Sequence, residues 1–236
     1  MEISYYQTHS KLIEFIWPKE ISVEILKDQM KVKEFLEKEY KEGIKEIRFG
    51  FNTLSLKLQF EITDKDCQDL LEEIKVLPNK IFEFKSKTWV IPVCYDIEFG
   101  KDLPNLSKTH GMEVEELIRL HSQPSYLLHF YGFLPGFMYL GGLNPRLYTP
   151  RKSNPDRFLP KGTVAIGGQQ TGIYPMDSPG GWHAIGRSPI KLFDISNSPP
   201  SIAQIGDKIR FQEINKIEFR RIKDLSEKGL YQIHYD

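Results

Sequence analysis

Five cations, Arg146, Arg151, Lys152, Arg157 and Lys161, fall in one stretch that holds a single acid, Asp156. The whole chain balances 32 basic against 32 acidic residues, so this local excess is a candidate seat for a carboxylate or a phosphate. Arginine suits that chemistry because its planar guanidinium meets an oxyanion through two parallel hydrogen bonds. The same residues also read as a surface loop with incidental charge, or as partners for acids such as Asp177 and Asp194. Downstream, the run Gly167, Gly168, Gln169, Gln170, Thr171, Gly172 could turn backbone N–H groups toward an anion, with Gln170 and Thr171 as directional donors. Glycine-rich turns of this kind also simply join the strands of a barrel. Ser178 to Trp182 sets an aromatic ring at a tight turn, as a pocket wall or as a core plug. His121 titrates in a useful range when unperturbed, but it falls on the apolar stripe of a predicted helix, where a buried structural role competes. His129 sits inside an apolar run and reads as structural.

Several chemistries have no support. The chain lacks G-x-x-x-x-G-K-[ST], G-x-G-x-x-G, G-x-S-x-G and H-E-x-x-H, and its six histidines show no metal-ligand spacing. Neutral net charge argues against a nucleic-acid or anionic-membrane partner. Cys67 and Cys94 stand alone, which suits a reducing compartment. No apolar run approaches the roughly 20 residues of a membrane span, and the first residues have no signal-peptide core. A soluble, cytoplasmic protein is expected.

The elements that must position these residues differ along the chain. Residues 3–7 and 11–17 read as paired strands, 22–40 as an amphipathic helix, and 44–60 as two strands around Gly50. Thr63 and Asp66 mark a second helix start, with Cys67, Leu70, Leu71 and Ile74 on one face. This half is an α+β unit with no catalytic constellation. Composition then shifts toward glycine and proline, which places a boundary so that residues 1–86 form a small α+β domain and 87–236 a mainly-β barrel domain. Residues 88–95 read as a strand held to an edge by Pro92. Residues 112–121 read as a third helix and 126–131 as a buried strand. Of 17 glycines, 11 lie between Gly132 and Gly186. Interleaved with them are Phe133, Phe137, Tyr139, Tyr148, Phe158, Tyr174 and Trp182, so the stretch reads as ordered turns around a site. Residues 202–211 read as strand, Gly-Asp turn and strand, and the last 20 or so as a final strand and a tail.

GFLPGFMYLGG, TPRK, GTVAIGGQQTGIYP, SPGGWHAIGRSP and LFD, in that order, carry a resemblance. The chain resembles the family of the B-type component of bacterial ATP-dependent 5-oxoprolinase, which takes in the sporulation histidine-kinase inhibitor and the allophanate hydrolase subunit 1 domain. The likeness implies a cyclophilin-like β-barrel after a small α+β domain. It implies partners, namely the C-type component (the allophanate hydrolase subunit 2 homologue) and the A-type component of 5-oxoprolinase. It also implies a reaction that opens 5-oxo-L-proline to L-glutamate at the expense of ATP, with Mg. Within that scheme Arg151 and Arg157 are assigned to anion binding, Gln170 and Thr171 to polar orientation, and Phe137, Tyr174 and Trp182 to a pocket wall. His121 is the acid/base candidate. A regulatory binding protein that inhibits a sensor histidine kinase, with no chemistry of its own, is the alternative, and carboxyl transfer in urea or allophanate metabolism a third. Met138 stands where the family commonly has Pro, and His183 where Gln is common.

Overall fold

The computed structural model describes residues 2–78 and 82–236. The chain divides between Phe84 and Lys85 into two compact units. In the first, β1 (Ser4–His9), β2 (Leu12–Ile16), α1 (Val23–Glu39), β3 (Ile44–Phe49), β4 (Thr53–Leu58) and α2 (Asp64–Lys75) follow one another. The strands make one antiparallel sheet ordered β1-β2-β4-β3. Helix α1 begins where Ser22 Oγ accepts from the N–H groups of Glu24 and Ile25. At α2, Thr63 and Asp66 cap each other reciprocally. Each cap satisfies donors that the first helical turn leaves open, at a gain of about 1 kcal/mol. One face of each helix, including Ile25, Val32, Leu36, Cys67 and Ile74, shares a core with Ile13, Phe15, Leu54 and Leu56.

The second unit contains β5 (Thr88–Val93), α3 (Leu103–His110), α4 (Val114–Ser122), β6 (Ser125–Tyr131), β7 (Met138–Gly141), β8 (Asp156–Leu159), β9 (Thr163–Gly167), β10 (Gln170–Ile173), β11 (Ser178–Gly180), β12 (His183–Arg187), β13 (Lys208–Glu213) and α5 (Lys216–Glu227). Seven strands form one sheet in the order β12-β9-β10-β7-β6-β13-β5. Its two ends meet, because Cys94, next after β5, exchanges both backbone hydrogen bonds with Arg187 at the end of β12. The sheet is therefore a nearly closed barrel, with β5 and β13 its parallel pair. Pro92 is tolerated in β5 because that strand is the sheet's terminal member. With the four-stranded sheet and five helices, the chain is of mixed α/β class. No helix among the described residues is long and apolar enough to cross a membrane.

Three sequence expectations need correction. Between the strand read at 88–95 and the helix read at 112–121, where only a short loop is expected after Gly100, α3 forms with Pro104 in its first turn and Gly111 ending it at φ +60°. The polar C-terminal segment is a helix rather than a strand. Asn215 caps α5, and Phe219 and Ile222, three apart, bury its narrow apolar stripe, with Phe219 stacked on Phe99 at 4.4 Å. Residues 202–204 are not a strand. The Asp207 carboxylate instead gathers the N–H groups of Gln204 and Lys87 and the indole N–H of Trp89, and this pins a turn before β13.

Candidate functional site on the outer face of the barrel

Strand alternation gives β7, β10, β9 and β12 two unlike faces. Met138, Leu140, Val164, Ile166, Ile173 and Ile185 point into the barrel core. On the outer face, Tyr139, Gly172, Ala165 and Ala184 are cross-strand neighbours in one row. The small members of that row let rings settle on the sheet. A Cβ on Gly172 would come within 2.6 Å of the Met138 carbonyl and 3.0 Å of the Phe137 ring. One on Gly167 would come within 2.6 Å of Trp182. Phe137 occupies the centre, edge-on to Tyr174 at 4.9 Å and to Trp182 at 5.4 Å, with Tyr139 tilted at 5.0 Å. Leu159 of the β8–β11 ribbon closes the cluster.

The expected pocket wall is therefore mostly a plug. Phe137, Tyr174 and Trp182 are 1%, 1% and 4% exposed, so ring edges rather than open faces are available from them. Tyr139, one of the rings of the glycine-rich stretch, is half-buried and stacks at 4.3 Å on Phe130, a half-buried ring that no site motif singled out. Phe133 stands exposed at the rim, edge-on to Phe137 and Tyr174. Its backbone holds φ +61°, and the Leu134 N–H donates to the Gly132 carbonyl across it, which is a strained γ-turn.

The five cations do not act as one patch. Arg146 donates to Glu116 at 2.7 Å. Lys152, largely buried, bridges Asp102 at 2.6 Å and Asp156 at 2.7 Å, and Lys101 also reaches Asp156. Burial alone would lower the Lys152 pKa, but the two carboxylates outweigh it and raise the net value. Asp156 shows the converse: burial pushes it up, and the two lysines bring the net below the ordinary carboxylate value. Asp102 also accepts the Ala184 N–H at 2.7 Å, so this network ties the loop before β8 to β12. The loop is further fixed by paired backbone bonds between Thr149 and Gly168 and by Lys152 N–H to Gly181. His183 Nε2–H donates to Pro150 O at 2.9 Å, leaving Nδ1 buried with no partner among the described residues.

Arg151 is what this scaffold presents. Its side chain is exposed, its guanidinium carbon lies 5.7 Å from the Trp182 ring centroid, and no carboxylate pairs with it among the described residues. Arg157 is exposed on β8, two positions before Leu159. Gln170 is on the outer face, half-buried, with Oε1 lacking a partner among the described residues.

Thr171 and His121 are not at this site. Thr171 points inward and is fully buried, and His121 is 0% exposed. Thr171 Oγ1 donates to Ala165 O, so the 2.8 Å contact with His121 is a donation from His121 Nε2–H, and Nδ1 accepts from the Tyr95 hydroxyl at 2.8 Å. Every partner is satisfied by the neutral imidazole, and burial depresses its pKa to about 3. A group sealed inside the core, with both ring nitrogens occupied, does not exchange protons with a ligand on the far side of the sheet. The acid/base assignment of His121 and the orienting role of Thr171 are replaced by one buried structural network. His129 is likewise buried, with its pKa pushed down to about 4.

This geometry belongs to a chain whose residues 1–203 match the description of the carboxyltransferase domain, subdomain C and D. The chain belongs to that family. It is 38% identical over 167 residues to the B-type component of 5-oxoprolinase from Bacillus subtilis, an overlap of 71% of this chain and 68% of that one. The solved structure of TTHA0988 superposes with TM-score 0.72 at 31% identity, over 87% of this chain. That match spans only 40% of the TTHA0988 chain. The Kluyveromyces lactis urea carboxylase shares the fold, with TM-score 0.84 at 16% identity over 99% of this chain and 24% of that one.

Proposed function

We propose that the chain is the B-type component of an ATP-dependent 5-oxoprolinase. It works in the cytoplasm with the A-type and C-type components to open 5-oxo-L-proline to L-glutamate. The cyclophilin-like character of its barrel is part of the same reading. The observation that carries it is Arg151, an unpaired guanidinium held beside aromatic rings on a braced loop, in a chain related to proteins named for this activity. The substrate is a flat lactam ring bearing one carboxylate. Its carboxylate meets the Arg151 fork, its ring lies against Tyr139 and the edge of Trp182, and its amide faces Gln170.

Magnitudes explain why such a site needs company. A charge-assisted pair contributes roughly 1.5–3 kcal/mol and a ring contact about 0.5–1.5 kcal/mol. Their sum, about 2–4.5 kcal/mol, reaches the roughly 4 kcal/mol of a millimolar complex only at its upper end, so partner surfaces must close the site before turnover. The Arg151 fork beside the rings suits a monocarboxylate, so the outer face is assigned to 5-oxoproline and not to ATP. ATP as cosubstrate supplies a phosphoryl group that activates the lactam carbonyl. This chain's own residues bind and orient the ring and exclude water from it.

The test is glutamate release from 5-oxoproline and ATP with this chain co-purified with its A-type and C-type partners, in wild-type and Arg151→Ala forms. Turnover that requires this chain and falls at least tenfold in the variant supports the reading. Turnover indifferent to Arg151 moves the substrate site elsewhere. No turnover from a verified assembly favours the kinase-inhibitor alternative.

A further inference from the structure

A second place in the barrel unit holds unanswered positive charge. A cavity of about 600 Å³ opens between the end of β12, the segment after it and α5. That volume is in the range of small-molecule sites. Its cations divide into two groups. Lys191 is neutralised by Asp194 at 2.6 Å, Lys228 by Asp224 at 2.8 Å and Lys223 by Glu227 at 3.7 Å. Arg187 and Lys161 have no carboxylate within 4.0 Å among the described residues. Asp177 accepts the Lys161 backbone N–H and attracts Arg187 from beyond ion-pair distance, a partial compensation only.

Arg187 is set for a ligand by its surroundings. Its Nε donates to the Lys161 carbonyl at 2.9 Å, which fixes the plane of the guanidinium and leaves both Nη groups without a partner among the described residues. Its backbone is locked to Cys94 by two hydrogen bonds. The side chain is half-buried, and desolvation lowers its pKa from the ordinary arginine value, the mark of a cation short of a counter-ion. Next to it Ser188 lines the same cavity at 3% exposure, its N–H spent on Gly162 O and its hydroxyl buried without a partner among the described residues. Leu192, Phe193 and Phe219 supply an apolar wall.

We infer that this cavity binds a phosphate-bearing small molecule, with phosphoryl oxygens on the Arg187 Nη pair, the Lys161 ammonium and the Ser188 hydroxyl. The organic part lies on the apolar wall. A carboxylate would be exhausted by the arginine fork alone. A phosphate has a third oxygen and close to two charges, enough to answer all three donors. The inference is separate from the 5-oxoprolinase reading, because its readout is binding to this chain alone and no outcome depends on turnover.

The experiment is thermal unfolding of the full chain with inorganic phosphate, phenyl phosphate, acetate, or chloride at matched ionic strength. A ligand that binds only the folded state raises Tm with its concentration. Phosphate should raise Tm by several degrees at saturation, phenyl phosphate should do so at a lower concentration, and acetate should match chloride. Arg187→Gln and Lys161→Ala should each weaken the phosphate response at least fivefold. Lys161 is exposed and engages its neighbours only through its backbone, so Lys161→Ala keeps the test decisive if Arg187→Gln does not fold. Equal responses in wild type and Lys161→Ala, or a chloride effect as large as that of phosphate, would overturn the proposal. Phenyl phosphate binding no tighter than phosphate would remove the apolar wall from it.

Discussion

The inner and outer faces of one sheet solve opposite problems in this protein. Inside the barrel, Thr171, His121 and Tyr95 form a closed chain of hydrogen bonds in which every polar atom named has a partner and nothing is charged. One residue away on the same strand, Gly172 and Gln170 face a surface where aromatic rings are packed but Arg151 keeps its charge unanswered. The inner face is built to hold shape. The outer face spends that rigidity on presenting a cation, and the difference shows that polarity alone does not mark a site, because a satisfied polar group is structure and an unsatisfied one is available.

Substitutions should separate the two faces. The largest effect belongs inside: Ile173→Ala empties volume in the core and should cost about 2–5 kcal/mol in denaturant unfolding. Gly172→Ala comes next. Its Cβ meets a carbonyl that cannot give way and the Phe137 ring, so an overpacking cost of about 1–3 kcal/mol is expected, together with weakened 5-oxoproline binding in the assembled enzyme. A null effect there would mean that the small-residue row does not set how closely the rings approach.

The inner network also predicts a pH dependence. His121 and His129 have folded pKa values of about 3 and about 4, below the ordinary 6.5. Between pH 6.5 and 4 the unfolded chain therefore binds more protons than the folded one, so stability rises with pH and is lost as pH falls through that window. The slope is at most about 1.4 kcal/mol per pH unit for each histidine. Urea midpoints measured across this range should fall toward acid, and His121→Gln should flatten the fall. An unchanged slope in that variant would take His121 out of the buried neutral network. Smallest of all, Arg151→Ala should shift stability by no more than about 0.5 kcal/mol, since its side chain is exposed and unpaired. Large destabilisation by this change would turn Arg151 into a structural residue and remove the contrast between the faces.

Much of the local structure was legible. The cap at Thr63 was readable because its side chain caps an N–H three positions away, within the reach of sequence inspection. The third helix was read where α4 lies, although α3 before it was missed because a proline in its first turn and only Leu103 and Leu106 buried give a weak period. At the site, the order of motifs led to Arg151, Gln170 and Trp182. Tyr139 was legible as one ring among the glycines, but residue types offered no cue to its partner Phe130, because their stacking depends on a bulge that shifts the β6–β7 register beside His129.

What the amino-acid order determined by itself was the kind of protein and its local grammar: helix starts, alternating strands, rings among glycines, and a stretch dense in cations. What only the tertiary structure decided was which of those groups remain free. Lys152 is silenced by an aspartate 50 positions away and Arg146 by a glutamate 30 positions away, while His121 is sealed by a threonine 50 positions on. Charge is neutralised by neighbours in space, and a closed sheet makes neighbours of residues that the chain keeps far apart.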